Sequence, residues 1–154
     1  MLIKTKCFGE IDIAEDMIIE FADGLMGFED LKRYTILYNN EEGKKSSISW
    51  LQSVDEPALA LPIINPFLVK EDYNPVVEDE LLKPLGDINE ENLAVFLVLT
   101  VPSDLTKMTA NLKAPLLVNA DTKKGQQVIV ENQDYVVKYN VYDVLKKKKD
   151  GGND

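Results

Sequence analysis

Residues 93–99 read Leu93-Ala94-Val95-Phe96-Leu97-Val98-Leu99, an unbroken run of seven apolar side chains. A run that is apolar on both faces is typical of a central strand covered on both sides. It is far shorter than the ~20 apolar residues that a membrane-spanning helix needs. The run therefore predicts the middle strand of a sheet.

Shorter strand patterns lie on both sides of this run. Gly9–Ile13 alternates polar and apolar residues, and Tyr34–Tyr38 is rich in β-branched and aromatic residues. Further strands are predicted at 17–21, 47–52, 58–61, 116–118, 126–130 and 135–141, with 39–45 as a polar hairpin loop and the last two strands as a hairpin. Many short strands at this spacing predict a mainly β protein, an antiparallel closed or nearly closed β-barrel with one or two short helices.

The helices are predicted from turn and capping residues. Asn74-Pro75 places a capping side chain before a proline at the first helical position, which predicts a helix from there to about Leu82. A single helical turn is predicted at 28–31. The segment 146–154, Lys-Lys-Lys-Lys-Asp-Gly-Gly-Asn-Asp, has no apolar side chain to offset the entropy of ordering. We therefore expect one β-barrel-like domain at 1–145 and a flexible Lys-rich tail at 146–154.

The charge balance bears on the kind of partner. The 154 residues include 27 acidic and 17 basic side chains, a formal net charge of -10. Direct binding of nucleic acid is not expected, because phosphates would meet a repulsive field. A basic protein is a natural partner for such a surface, although acidic surfaces also serve solubility alone.

The residue inventory excludes several kinds of catalytic site. The chain has no histidine and one cysteine, so Ser–His and Cys–His pairs, an internal disulfide and a zinc ligand set are all excluded. Cys7 lies in a strand-like run, and we expect a half-buried, inert thiol. The sequence predicts no catalytic, metal-binding or cofactor-binding residues and no cofactor. Without a visible signal peptide or spanning segment, it predicts a cytoplasmic protein with no membrane partner.

Two blocks join a polar, turn-forming cluster to a short apolar strand. They are Leu51–Ala60 and Thr109–Asn119, and their polar residues are the candidates for contact with a partner: Gln52, Asp55, Thr109, Asn111 and Asn119. Each side chain has two interpretations, a hydrogen bond that fixes loop backbone or a contact in recognition. Recognition is favoured for the group if the two blocks lie close together in the barrel.

The same blocks carry a resemblance to a known family. Gly24-Leu25-Met26-Gly27-Phe28-Glu29 is similar to the Gly-Leu-Pro-Gly-Phe-Glu of the flagellar assembly factor FliW family, with Met26 in place of proline. Asn65-Pro66 stands where that family commonly has Asp-Pro. The remaining matches follow in order: Leu51-Gln52-Ser53 with Asp55, Pro57 and Leu59-Ala60; Tyr73 and Pro75; Thr100 and Pro102; Thr109–Asn119; and Gly125-Gln126-Gln127.

The resemblance implies a non-enzymatic regulator of flagellar synthesis. Such a protein binds flagellin and, once released from it, binds and antagonises CsrA, the basic dimeric RNA-binding protein that represses flagellin translation. The five candidate residues are then partner contacts, not assigned separately to flagellin or CsrA. Two alternatives stay open: a small-molecule-binding or enzymatic β-barrel, and a structural subunit held by self-association.

Overall fold

The structure, a computed structural model, describes residues 1–38 and 48–151, with side chains described through Lys146. The strands in these ranges are β1 (Leu2–Lys4), β2 (Glu10–Asp12), β3 (Ile19–Phe21), β4 (Arg33–Tyr38), β5 (Ile48–Ser53), β6 (Ala60–Ile64), β7 (Leu93–Thr100), β8 (Thr109–Ala110), β9 (Leu116–Asn119), β10 (Lys124–Gln127) and β11 (Tyr139–Asn140). The α-helices are α1 (Asp79–Leu82) and α2 (Tyr142–Gly151), with 3-10 turns at Glu15–Met17, Pro66–Leu68, Lys83–Leu85 and Leu105–Lys107.

Seven strands close into a barrel. Their order is β3-β4-β5-β6-β7-β9-β10, and β10 returns to pair with β3. All of these pairings are antiparallel except β3–β10, which is parallel. β8 and β11 extend sideways from β7, and β1 and β2 form a separate two-stranded sheet. The predicted closed barrel is confirmed, with one parallel pairing that the sequence did not predict.

The central strand is β7, as predicted. Its even-numbered side chains from Ala94 to Val98 pack into the cluster that fills the barrel, together with buried Phe21 and Leu51. Its odd-numbered side chains, among them Leu97 and Leu99, belong to clusters on the outside of the barrel. Both faces are covered because the loops between β6 and β7 and after β10 fold back over the outer face.

The helix predicted from Asn74 is wrong over its first half, since α1 begins only at Asp79. The backbone of the preceding segment is held by a distant loop. The Asn74 amide donates to the Tyr135 hydroxyl at 2.7 Å, and the Val76 amide donates to Asn132 Oδ1 at 2.7 Å. The carbonyls of Asn74 and Val76, which a first helical turn would bond to later amides, instead accept from Asn132 Nδ2 at 3.0 Å and from the Glu131 amide at 2.8 Å.

The hairpin predicted at 126–141 is also wrong. β10 ends at Gln127, opposite Leu116 of β9. The next residue on the β9 side is Pro115, which accepts a bond from the Val128 amide at 3.2 Å but has no N–H to return one. The second predicted strand shrinks to β11, which pairs with β8 instead.

Two smaller predictions are wrong, and two others are not tested by the described residues. Cys7 is exposed in the turn between β1 and β2, not half-buried. Residues 28–31 form turns without a helix, and the predicted loop at 39–45 lies outside the described residues. α2 runs across residue 145, and the division into a domain at 1–145 and a tail at 146–154 stays a prediction. Within the described ranges, every helix is too short or too polar to cross a membrane.

Candidate functional site

Gln52 is buried on β5, with 1% of its surface exposed. Its Nε2 donates to three backbone carbonyls, those of Ser53, Pro57 and Leu59, at 2.9 to 3.2 Å. Its Oε1 accepts from the Lys6 amide at 3.0 Å. The side chain therefore fastens both the turn after β5 and the β1–β2 turn to the barrel.

Both candidate asparagines, Asn111 and Asn119, also bond to backbone groups. Asn119, fully buried at the end of β9, donates from Nδ2 to the carbonyls of Leu85 and Asp87 at 2.8 and 3.1 Å. Its Oδ1 accepts from the amides of residues 121 and 122 at 2.8 and 3.2 Å. Asn111 Oδ1 accepts from the amides of residues 113 and 114 at 3.0 and 3.1 Å. Both side chains shape a turn, as asparagine commonly does.

Asp55 is exposed in the turn after β5 and pairs with Arg33 at the start of β4. The guanidinium donates to both carboxylate oxygens, with Nε–Oδ2 at 3.1 Å and Nη2–Oδ1 at 2.5 Å. The hydrogen bond from Arg33 lowers the pKa of the Asp55 carboxyl. One face of the pair remains open to solvent, since about half of each side chain is exposed.

The five candidates do not converge on one site. Thr109 of β8 lies opposite Thr100, whereas Asn119 of β9 lies opposite Leu93 at the other end of β7. Those positions lie seven residues apart along the strand, which is about 23 Å at the usual rise per residue. Gln52 belongs to the Thr109 end, because it pairs with Ala60 at the start of β6. A role of these residues in partner binding stays a prediction.

A different set of matched segments does meet in space. Gln127, at the end of β10, accepts from the Met26 amide through Oε1 at 2.8 Å and donates from Nε2 to the Ala114 carbonyl at 3.2 Å. It thereby joins the turn at 24–28 to the turn at 111–114. The sequence contained Gln127 within a matched segment but gave no sign of this role, because its partners lie 101 and 13 residues away.

The turn at 24–28 has a tightly specified backbone. Gly24 has φ +67°, and a Cβ on it would lie 2.6 Å from the Glu29 Cα, so only glycine fits. Gly27 has φ +88°, and Leu25 forms a β-bridge with Phe28. Leu25 is buried in the barrel core, while Met26 and Phe28 are 49% and 40% exposed. The turn therefore contributes one side chain to the barrel core and presents two large apolar side chains to solvent.

Two open cavities lie elsewhere on the barrel. One of about 480 Å³ has mainly charged walls, including Glu15, Glu20, Arg33, Lys123 and Lys124. The other, of about 290 Å³, has mostly apolar walls, including Met17, Ile36, Tyr38, Ala94 and Phe96. Among the described residues, no group of three or more acidic or cysteine side chains is placed to hold a metal ion.

Known proteins resemble this chain over nearly all of its length. The family model of the FliW protein matches residues 2–141. A flagellar assembly factor FliW of Lachnoclostridium phytofermentans is 62% identical over 98% of this chain and 99% of its own, and one of Thermotoga neapolitana is 40% identical over 97% and 98%. A crystal structure of the flagellar assembly factor FliW superimposes with a TM-score of 0.83 at 33% identity, covering 92% of this chain and 96% of the other.

Proposed function

Because this chain belongs to the FliW family of flagellar assembly factors, we propose that it binds flagellin and, when free of flagellin, binds and antagonises CsrA. Antagonism relieves the repression of flagellin translation, so that flagellin is made when little of it is free. The family match over residues 2–141 is the observation that carries this proposal. The role is regulatory and non-enzymatic, and it takes place in the cytoplasm.

The charge of the chain supports CsrA as one of the two partners. A net charge of -10 favours encounter with a basic protein and disfavours direct contact with RNA. The two partners couple negatively, because flagellin bound to the factor withholds it from CsrA. Thermodynamic linkage makes this coupling reciprocal, so CsrA lowers the affinity for flagellin by the same factor.

The antagonism acts in part through electrostatic repulsion. An acidic protein seated beside an RNA-binding surface repels phosphates within about one Debye length, ~8 Å at physiological salt. The rest of the antagonism comes from a change in the geometry of the bound CsrA. The factor then does not need to cover the whole RNA-binding site. The electrostatic part predicts that displacement of RNA weakens as salt rises. Equal displacement at low and high salt would remove that part of the mechanism.

A calorimetric competition tests the proposed function. The full chain is titrated with CsrA and with flagellin from the same organism, each alone and then in the presence of the other. We expect stoichiometric binding of both and displacement of one by the other. Binding of neither partner, with both verified as folded, would overturn the proposal.

The rival function, a small-molecule-binding or enzymatic barrel, has weaker support from the cavities. Ligand sites are mostly enclosed apolar pockets with a few convergent polar groups. The larger of these two cavities instead has walls with charged residues of both signs, and the smaller one is an apolar cavity that is open to solvent. Neither combines the two features that a small-molecule site needs.

A further inference from the structure

We propose that the turn at 24–28 is the docking site for the basic partner, and that Met26 and Phe28 enter an apolar recess on that partner's surface. This inference rests on the proposed function and names the part of the chain that contacts CsrA. It uses none of the five candidate residues that the sequence suggested.

Several contacts hold the backbone that carries these two exposed apolar side chains. The Met26 amide is held by Gln127, and the Asp23 carboxylate accepts from Gln126 Nε2 at 3.0 Å. Buried Leu25 anchors the turn in the barrel core, and Gly24 packs closely against the Glu29 backbone. A backbone that is ordered before binding loses little entropy on association, which allows the exposed side chains on it to act as strong contact residues.

The charged residues that flank these side chains in the sequence are acidic. Asp23, Glu29 and Asp30 flank the turn, all exposed, and the sequence from 23 to 31 contains no basic residue. The next lysine along the chain, Lys32, donates from its ammonium group to the Ala22 carbonyl at 2.7 Å. An apolar centre with a carboxylate rim fits a partner whose recess is surrounded by lysine and arginine.

The same charges argue against a second copy of this chain as the occupant. A two-fold contact through the turn would place the carboxylates of Asp23, Glu29 and Asp30 against those of the other copy. Like charges brought together in an interface oppose association. The basic partner of the proposed function is CsrA, and we assign the turn to it.

The first test removes the apolar contacts. Met26→Ala/Phe28→Ala is compared with Met17→Ala/Phe67→Ala, which deletes the same two side-chain types from positions that are 48% and 54% exposed. We expect the first pair to weaken CsrA binding about tenfold or more, the effect of removing two strong contacts, and the control pair to change it less than about twofold. Flagellin titrations of the same proteins show whether the loss is specific.

The second test keeps every apolar side chain and removes charge. Glu29→Gln/Asp30→Asn is compared with Glu78→Gln/Asp79→Asn, so that both proteins lose two negative charges. We expect CsrA binding to weaken about threefold to tenfold at low salt only when residues 29 and 30 are changed, with a smaller difference at high salt. This test holds even if the apolar double variant folds poorly.

The outcomes separate the inference from the proposed function. Wild-type protein that binds CsrA, with an unchanged affinity in both turn variants, would overturn the inference alone. An equal loss of flagellin and CsrA binding in the turn variants would overturn the assignment of the turn to the basic partner. Wild-type protein that fails to bind CsrA would overturn the proposed function, and the inference with it.

Discussion

Phe21 and Gly125 are partners in the parallel pairing of β3 with β10, and the ring of Phe21 lies directly against the Gly125 backbone. A Cβ built on Gly125 would lie 2.4 Å from Phe21 Cζ and 2.6 Å from Cε2. The ring is fully buried and meets Tyr34 edge-on, with 5.5 Å between ring centroids. Because Gly125 has no side chain, the Phe21 ring can lie against its backbone where β3 and β10 close the barrel.

Gly125→Ala should therefore destabilise the protein. The added methyl group must displace a buried ring, and overpacking of this kind costs about 1–3 kcal/mol. Urea unfolding of Gly125→Ala, Phe21→Leu and the double variant forms a double-mutant cycle. We expect Phe21→Leu to recover part of the loss caused by Gly125→Ala. Strictly additive effects would contradict the steric explanation.

The barrel interior also contains a hydroxyl without a partner. Tyr34 is fully buried, and its OH has no hydrogen bond to any described residue. A buried polar group left unpaired costs about 1–3 kcal/mol. We expect Tyr34→Phe to raise the free energy of unfolding by about 1 kcal/mol at neutral pH, measured in urea. A loss of stability of that size would instead indicate a hydrogen bond to the hydroxyl.

The same residue gives a prediction at alkaline pH. Burial raises the pKa of Tyr34 from 10.0 to about 12. Between those values the unfolded chain releases the phenol proton and the folded chain keeps it, so the free energy of unfolding falls as pH rises. Burial also raises the pKa of Tyr73, which adds to the decline. Tyr34→Phe should show a shallower fall above pH 10 than wild type, and parallel curves would contradict this origin.

The sequence predicted the barrel because its strands have local patterns. β4 and β5 have alternating or β-branched residues, and both form where expected. The features that the sequence did not predict depend on contacts between residues that are far apart in the chain. The segment from Asn74 to Val76 would start a helix in isolation, but Asn132 and Tyr135 bind its backbone. The parallel closure of β3 on β10 likewise leaves no mark in either strand's own sequence.

The candidate site shows the same limit. The polar residues chosen from the sequence were predicted to contact a partner, and in the structure Gln52 and Asn119 bond to backbone groups of this chain. Glutamine and asparagine that shape turns have the same residue types as those that contact partners. Met26 and Phe28, by contrast, look like ordinary core residues in sequence, and only the fold shows that they are exposed.

Asn119→Ala separates the two interpretations of this residue. Four hydrogen bonds to backbone groups would be lost in a buried position, and we expect the free energy of unfolding to fall by about 3 kcal/mol. Asn140→Ala is the matched control, because Asn140 bonds to two backbone groups but is exposed, and it should cost about 1 kcal/mol. Unchanged stability of Asn119→Ala with weakened partner binding would favour a direct contact instead.

Asp55→Asn tests the ion pair with Arg33 and the proposed contact role together. Because both side chains are about half exposed, we expect the pair to contribute no more than about 1 kcal/mol at pH 7. Arg33 lowers the pKa of Asp55 below 3.8, so this contribution is complete above the unfolded pKa and disappears as pH falls through the folded one. The free energies of unfolding of wild type and Asp55→Asn in urea should therefore differ at pH 7, and the difference should shrink as the pH falls below 3.8. If Asp55→Asn lowers the free energy of partner binding by much more than it lowers the free energy of unfolding, Asp55 is a contact residue. If the affinity is unchanged, Asp55 only connects β4 to the turn after β5 through its ion pair with Arg33.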